Sequence, residues 1–157
     1  MSRTIFTTAM MLLSVTPLLA AEATVKVEHP FARPSLGAGR NSAAFMALVN
    51  TADRPDALIK AESDVATRVG LHTHRRKTID GQMVMQMRPV KQMDIPARGR
   101  TVLQPGGLHI MLFGVKKPLK PGDSFTLRLT FQRAAPLTIT VPVTKISTKM
   151  KRMQKMH

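Results

Sequence analysis

The 157-residue sequence contains no cysteine, no tryptophan and no tyrosine, and it sets nine Asp and Glu against 24 Lys and Arg. The lack of cysteine excludes disulfides, thiolate zinc sites, thiol redox chemistry and a blue-copper electron-transfer centre. A metal site built without cysteine has one advantage in an oxidising compartment, because its ligands are not lost to disulfide formation. Aromatic residues are scarce. With six Phe, one of them within residues 1–23, the core must come from Val, Leu, Ile, Ala and Met. The aromatic platform on which single-stranded nucleic acids stack is missing.

What is present suits one soluble globular domain with short extras: 43% of residues are apolar, an ordinary fraction for such a fold. Residues 1–23 read as a secretory signal peptide. Arg3 supplies a positive n-region, residues 9–20 (AMMLLSVTPLLA) an apolar h-region, and Ala21-Glu22-Ala23 a small-x-small cleavage pattern, with cleavage after Ala20 or Ala21 also compatible. The plainer alternative is a buried N-terminal helix. Pro17 and the switch to alternating sequence after Ala23 count against it. No other run is long and apolar enough for a membrane span, and there is no lipobox cysteine for a lipid anchor. The expectation is a periplasmic monomer.

The formal net charge is +15, and without residues 1–23 the chain still has 23 basic against 8 acidic groups. An exported protein meets little nucleic acid. The charge therefore points to an anionic partner protein, phospholipid head groups or cell-wall polymers. No nucleophile–base constellation, paired carboxylate motif or phosphate-binding glycine loop is found, so an enzyme is not expected. Gly106-Gly107 precedes a strand pattern and reads as a turn.

Residues 24–144 read as short strands divided by turn signals. The segments are 24–28 (TVKVE), 42–50 (SAAFMALVN), 57–61, 66–74, 82–90 (QMVMQMRPV), 101–104, 108–113 (LHIMLF), 124–131 (SFTLRLTF) and 136–143 (PLTITVPV). Asp80-Gly81, Pro105-Gly106-Gly107 and Pro121-Gly122-Asp123 mark turns, and Pro89 suggests an edge strand or a strand end. Eight or nine strands with no long helix favour an all-β sandwich or small Greek-key barrel. Residues 145–157 (KISTKMKRMQKMH) read as a basic tail, or as a last amphipathic helix packed through its Met stripe.

The chemistry lies in methionine and histidine. Nine of the 12 Met and all five His follow residue 23. Three strand segments offer donors at i, i+2 spacing: His72 and His74; Met83, Met85 and Met87; His109 and Met111. On a strand such pairs share a face, so each segment can present its donors together at one end of a sandwich. Thioethers are soft ligands suited to Cu(I), and imidazole accepts copper in either oxidation state. Within these segments Asp80 is the one carboxylate. A Met on a strand is more often core filler, the reading that suits Met46. Met93 is ambiguous, and core packing of Met83, Met85 and Met87 is the competing reading. His29, isolated, reads as a surface residue. In the tail, Met150, Met153, Met156 and His157 gather soft donors for a second site, and His157 with the terminal carboxylate would suit Cu(II). The bland alternative is a solvated tail that docks on an acidic partner.

GQMVMQMRPV, followed by IPARGRTVLQPGGLHIMLFGVKKPLKPGDSFTLRLTF, resembles the signature of the PCu(A)C family of periplasmic copper chaperones, and the resemblance covers about residues 24–143. In that family a Met is followed, after 21 residues, by His-x-Met; Met87, residues 88–108 and His109-Ile110-Met111 show this spacing. His72 matches the family's upstream His, while His74 stands where a Met is often found. Twelve residues separate His74 from Met87, more than the family spacing, which leaves Met83 and Met85 as additional candidates. The resemblance implies a cupredoxin-like β-sandwich. It also implies a Cu(I) site of His72, Met87, His109 and Met111, with His74 a further candidate, and delivery to the copper-A subunit of a haem–copper oxidase alongside Sco-type partners. Periplasmic copper buffering or resistance would use the same site, and a basic interaction module would use no metal.

Overall fold

A computed structural model describes residues 23–145; the expected signal peptide and the Met/His tail lie outside them, except for Ala23 and Lys145. Among the described residues there are ten strands and no helix. They are β1 (Val25–Ala32), β2 (Ser42–Asn50), β3 (Asp56–Glu62), β4 (Ala66–Ile79), β5 (Gln82–Pro89), β6 (Met93–Ile95), β7 (Arg100–Leu103), β8 (His109–Val115), β9 (Ser124–Phe131) and β10 (Leu137–Pro142). The larger sheet runs β1-β2-β8-β4-β5, with β7 also paired to β2, and the smaller runs β10-β9-β3-β6. All the strand pairs named are antiparallel. The all-β, cupredoxin-like sandwich is the expected class.

Period-two patterning explains the layers. In β9, Phe125, Leu127, Leu129 and Phe131 are buried, while of the residues between them Thr126 and Arg128 are exposed and Thr130 is half-buried. They meet Met46, Leu48, Leu71, Ile110 and Leu112 of the larger sheet in one core. Burying each such side chain contributes about 1.5–3 kcal/mol. β2 breaks the alternation because both its faces are covered. Ala44, Met46 and Leu48 enter the main core, while Ala43 and Phe45 join Phe31 in a small second cluster on the opposite face. Met111 packs against that cluster.

Two features of the larger sheet position the site. β8 pairs with β4 from Ala66 to His72, but β4 continues to Ile79 with β5 as its strand partner. The resulting β4–β5 hairpin closes at Asp80 (φ 51°) and Gly81 (φ 77°). Two successive positive φ values are those of a type I′ turn, which fits the right-handed twist of two strands. Residues 75–79 (RRKTI) carry no apolar alternation and were not expected to be strand; pairing with β5 extends them. The three-residue β6 was also not expected, being too short to show a period. Met93 within it is buried in the core, whereas Met83 is 69% exposed, so core packing of the whole Met83–Met87 row is not what the fold does.

Met93→Ala is therefore expected to lower unfolding stability by about 2–5 kcal/mol, and Met83→Ala to change it by no more than about 0.5 kcal/mol. Urea denaturation of the two variants checks this; equal losses would contradict the placement of either residue.

Candidate metal centre

The register of the larger sheet puts the candidate donors on its outer face, opposite the main core. On β8, Ile110 and Leu112 point into the core, so His109 and Met111 point out. Across the sheet His72 pairs with His109, Gly70 with Met111, and His74 with Met87. Directly opposed residues share a face. His72, His74, Met87, His109 and Met111 thus converge where the β4–β5 hairpin leaves the sandwich. Met85 and Met83 continue along the same face of the hairpin, opposite Arg76 and Thr78. His29 is exposed at a bulge in β1 and does not join the group.

His109 is the centre of the cluster. Its ring centroid lies 4.8 Å from His74, 6.0 Å from His72 and 6.4 Å from Phe45. Its Nδ1 lies 3.0 Å from the carbonyl oxygen of Gly107. A carbonyl only accepts, so Nδ1 carries the proton and Nε2 keeps its lone pair. That Nε2 faces the Met87 sulfur at 3.4 Å. Burial lowers the pKa of His109, and the nearby His74, His72 and Arg33 act in the same direction against the opposing Gly107 hydrogen bond. The neutral imidazole, the form that binds a metal, is therefore favoured.

A cavity of about 180 Å³ opens beside this contact, and His74, Met87, His109 and Met111 are among its lining residues, together with Phe45 and Arg33. His72 does not line it. Its ring lies behind His109, edge-on to Phe113 at 5.4 Å and against the bare Cα of Gly70. Phe113 is in turn covered by the Arg68 guanidinium, 3.9 Å from the ring centroid. The Nδ1 atoms of His72 and His74 are both buried without a hydrogen-bond partner, which costs about 1–3 kcal/mol each. Such orphaned nitrogens are what a metal ligand looks like when its partner is not a protein atom.

The donor set selects among metals. Although three imidazoles meet here, among the described residues no group of three His, Asp or Glu side chains is arranged to hold a metal ion by itself. Any ion held here must accept thioether sulfur, which disfavours Zn, Mg and Ca and suits Cu(I). The residues present therefore fit a soft monovalent cation. Several contributors were not read from the sequence: Phe45, Phe113, Gly70 and the Gly107 carbonyl. The Gly-Gly pair two residues before His109 was the available signal, and it was read only as a turn.

The model of a family described as "Putative lipoprotein LpqE-like" matches residues 25–143. An uncharacterized protein of Rickettsia prowazekii is 34% identical over 118 residues, 73% of this chain and 63% of that protein. The chain thus spans a little under two thirds of the length of that relative. Among solved structures, the copper-bound PCuAC domain from PmoF2 superposes with a TM-score of 0.64 at 28% identity, covering 80% of this chain and 97% of that domain. The Cu(I) form of DR1885 from Deinococcus radiodurans superposes with a TM-score of 0.54 at 33% identity, covering 76% and 78% of the two chains.

Gly70→Ala tests the packing behind the site. Its Cβ would lie 2.9 Å from the His72 Cε1, and the ring has no flexible end to yield, so the ring must move. The Cε1–H proton resonances of His72 and of His109, which it stacks on, are expected to shift while the domain stays folded. Unchanged resonances in a folded variant would contradict the packing described.

Proposed function

The chain belongs to the LpqE-like family, the PCuAC copper-binding domains, and from that premise we propose that it is an exported Cu(I) carrier. Its cargo would be held by Met87, His109, Met111 and an imidazole of β4, and handed to the copper-A subunit of a haem–copper oxidase, with Sco-type proteins in the same route. The observation that carries this reading is the opposition of two unprotonated soft donors, His109 Nε2 and Met87 Sδ, at 3.4 Å beside a cavity that Met111 and His74 also line. The solved relatives described as copper-bound and as Cu(I) forms support the same cargo. The residue 1–23 pattern supports export.

His74 is the β4 imidazole proposed as ligand, because it lines the cavity and its ring is the nearer to His109. His72 matches the family position. It stands one imidazole behind, with a bare nitrogen of its own, and serves as the exchange ligand when the set changes. Neutral thioethers and imidazoles donate less charge than thiolates. An acceptor bearing cysteine can therefore displace them one at a time, and carriage and release become compatible. No covalent or redox chemistry by the protein is required, in keeping with a binding domain and not an enzyme.

The test is anaerobic. Cu(I) is titrated into the full chain against a chromogenic chelator, and the loaded protein is then mixed with an apo copper-A domain that is re-isolated for metal analysis. The parent is expected to hold copper against the chelator and pass it to the acceptor. A His109→Ala/Met111→Leu variant is expected to bind more weakly by at least about tenfold, some 1.4 kcal/mol, and to transfer correspondingly less. Equal affinity of parent and variant would overturn the ligand assignment, and tight binding with no copper in the acceptor would favour buffering over delivery.

A further inference from the structure

The proposed site uses one of three methionines on β5. Met83, Met85 and Met87 are 69%, 48% and 42% exposed, and they lie on one face of the hairpin, opposite Thr78, Arg76 and His74 in turn. Exposed thioethers on an edge strand are a liability. They are only partly buried, they are open to sulfoxidation, and they sit where sheets aggregate. Core packing does not explain them, since the main core lies elsewhere. They do form a row of soft donors whose inner end is the sulfur facing His109.

Successive members of the row are separated by about 6.6–6.8 Å along the strand. Met has three rotatable side-chain bonds, so neighbouring sulfurs can reach a common ion. From His74 to Pro89 the sole carboxylate is Asp80, at the turn. Hard divalent cations therefore find no oxygen cage there. Four cations, Arg75, Arg76, Lys77 and Arg88, lie in the same stretch. Arg76 is directly opposite Met85, and its charge weakens, without abolishing, a site held by soft donation.

We propose that Met83 and Met85 form a second, weaker Cu(I) site on the hairpin, a staging post between solution or a partner and the cavity. The inference rests on the Cu(I) reading above and extends it. Transfer along the row is ligand exchange: a Cu–S bond to Met87 forms as the bond to Met83 breaks. Copper stays monovalent and, thioethers having no proton, none moves. The low affinity that Arg76 imposes keeps the post from competing with the inner set, so ions drain inward on loading and outward on release.

The experiment is NMR of the full chain with 13C-methyl methionine, titrated anaerobically with acetonitrile-stabilised Cu(I), using Met→Leu variants for assignment. The first equivalent is expected to shift Met87 and Met111, and the second Met83 and Met85. In Met83→Leu/Met85→Leu the first equivalent is retained, the second is lost from the hairpin, and stopped-flow loading of the inner site slows by about tenfold, equivalent to about 1.4 kcal/mol of barrier. In His109→Ala/Met111→Leu the Met83 and Met85 methyls still respond. Methyls of Met83 and Met85 that stay unmoved through two equivalents, a second equivalent that appears on Met150, Met153 or Met156 instead, or unchanged loading kinetics would overturn the staging site. A first equivalent that leaves Met87 and Met111 unmoved would overturn the inner site separately.

Discussion

The carbonyl of Gly107 organises the candidate centre. It accepts a hydrogen bond from the His109 ring at Nδ1 and another from the backbone N–H of His74 at 3.2 Å. One oxygen thereby sets the tautomer of the central imidazole and ties β4 to the turn before β8. Gly106, at φ 84°, allows the chain to present that carbonyl, because a residue with a Cβ resists the left-handed region. If the carbonyl pointed elsewhere, the proton of His109 would be free to occupy Nε2, and the nitrogen facing Met87 would cease to be a donor of electrons.

Around that fixed ring the fold arranges graded softness and charge. Inside, thioether and imidazole share a small cavity walled by Phe45, with a lowered His109 pKa that keeps the ring neutral. Behind, His72 is held by Gly70 and Phe113, and Phe113 by Arg68. Outside, the hairpin continues the thioethers into solvent among Arg and Lys side chains. The basic surface around the site is suited to an acidic partner, so under the proposed function charge and ligand chemistry would act together: the surface would bring an anionic acceptor close, and the soft donors would release the ion to the ligands it carries.

Much of this was legible in the amino-acid order. The alternation in 124–131, the double-faced run 42–50 and the Asp80-Gly81 turn correspond to β9, β2 and the hairpin tip. The i, i+2 pairs place their donors on one face for a reason as simple as the strand period, and the spacing from Met87 to His109-x-Met111 was part of the resemblance to the PCu(A)C family. What was not legible depends on tertiary contact. Residues 75–79 look like a charged loop and become strand only because β5 pairs with them. β6 has three residues and no period. His72 and His74 are equivalent in sequence, yet one lines the cavity and the other stacks behind His109, because Gly70 leaves room for the ring of His72. No local pattern encodes which of two like residues meets the lining of a cavity.

The central claim is a mixed thioether–imidazole copper site on the outer face of the larger sheet. X-ray absorption at the copper K-edge, on the full chain loaded with one equivalent of Cu(I) under anaerobic conditions, tests it most directly. The account requires both sulfur and imidazole nitrogen in the first coordination shell, with the sulfur contribution falling by about half in Met111→Leu, as expected when one of two thioether donors is removed. A shell of nitrogen and oxygen alone, or a sulfur contribution unchanged in that variant, would contradict it.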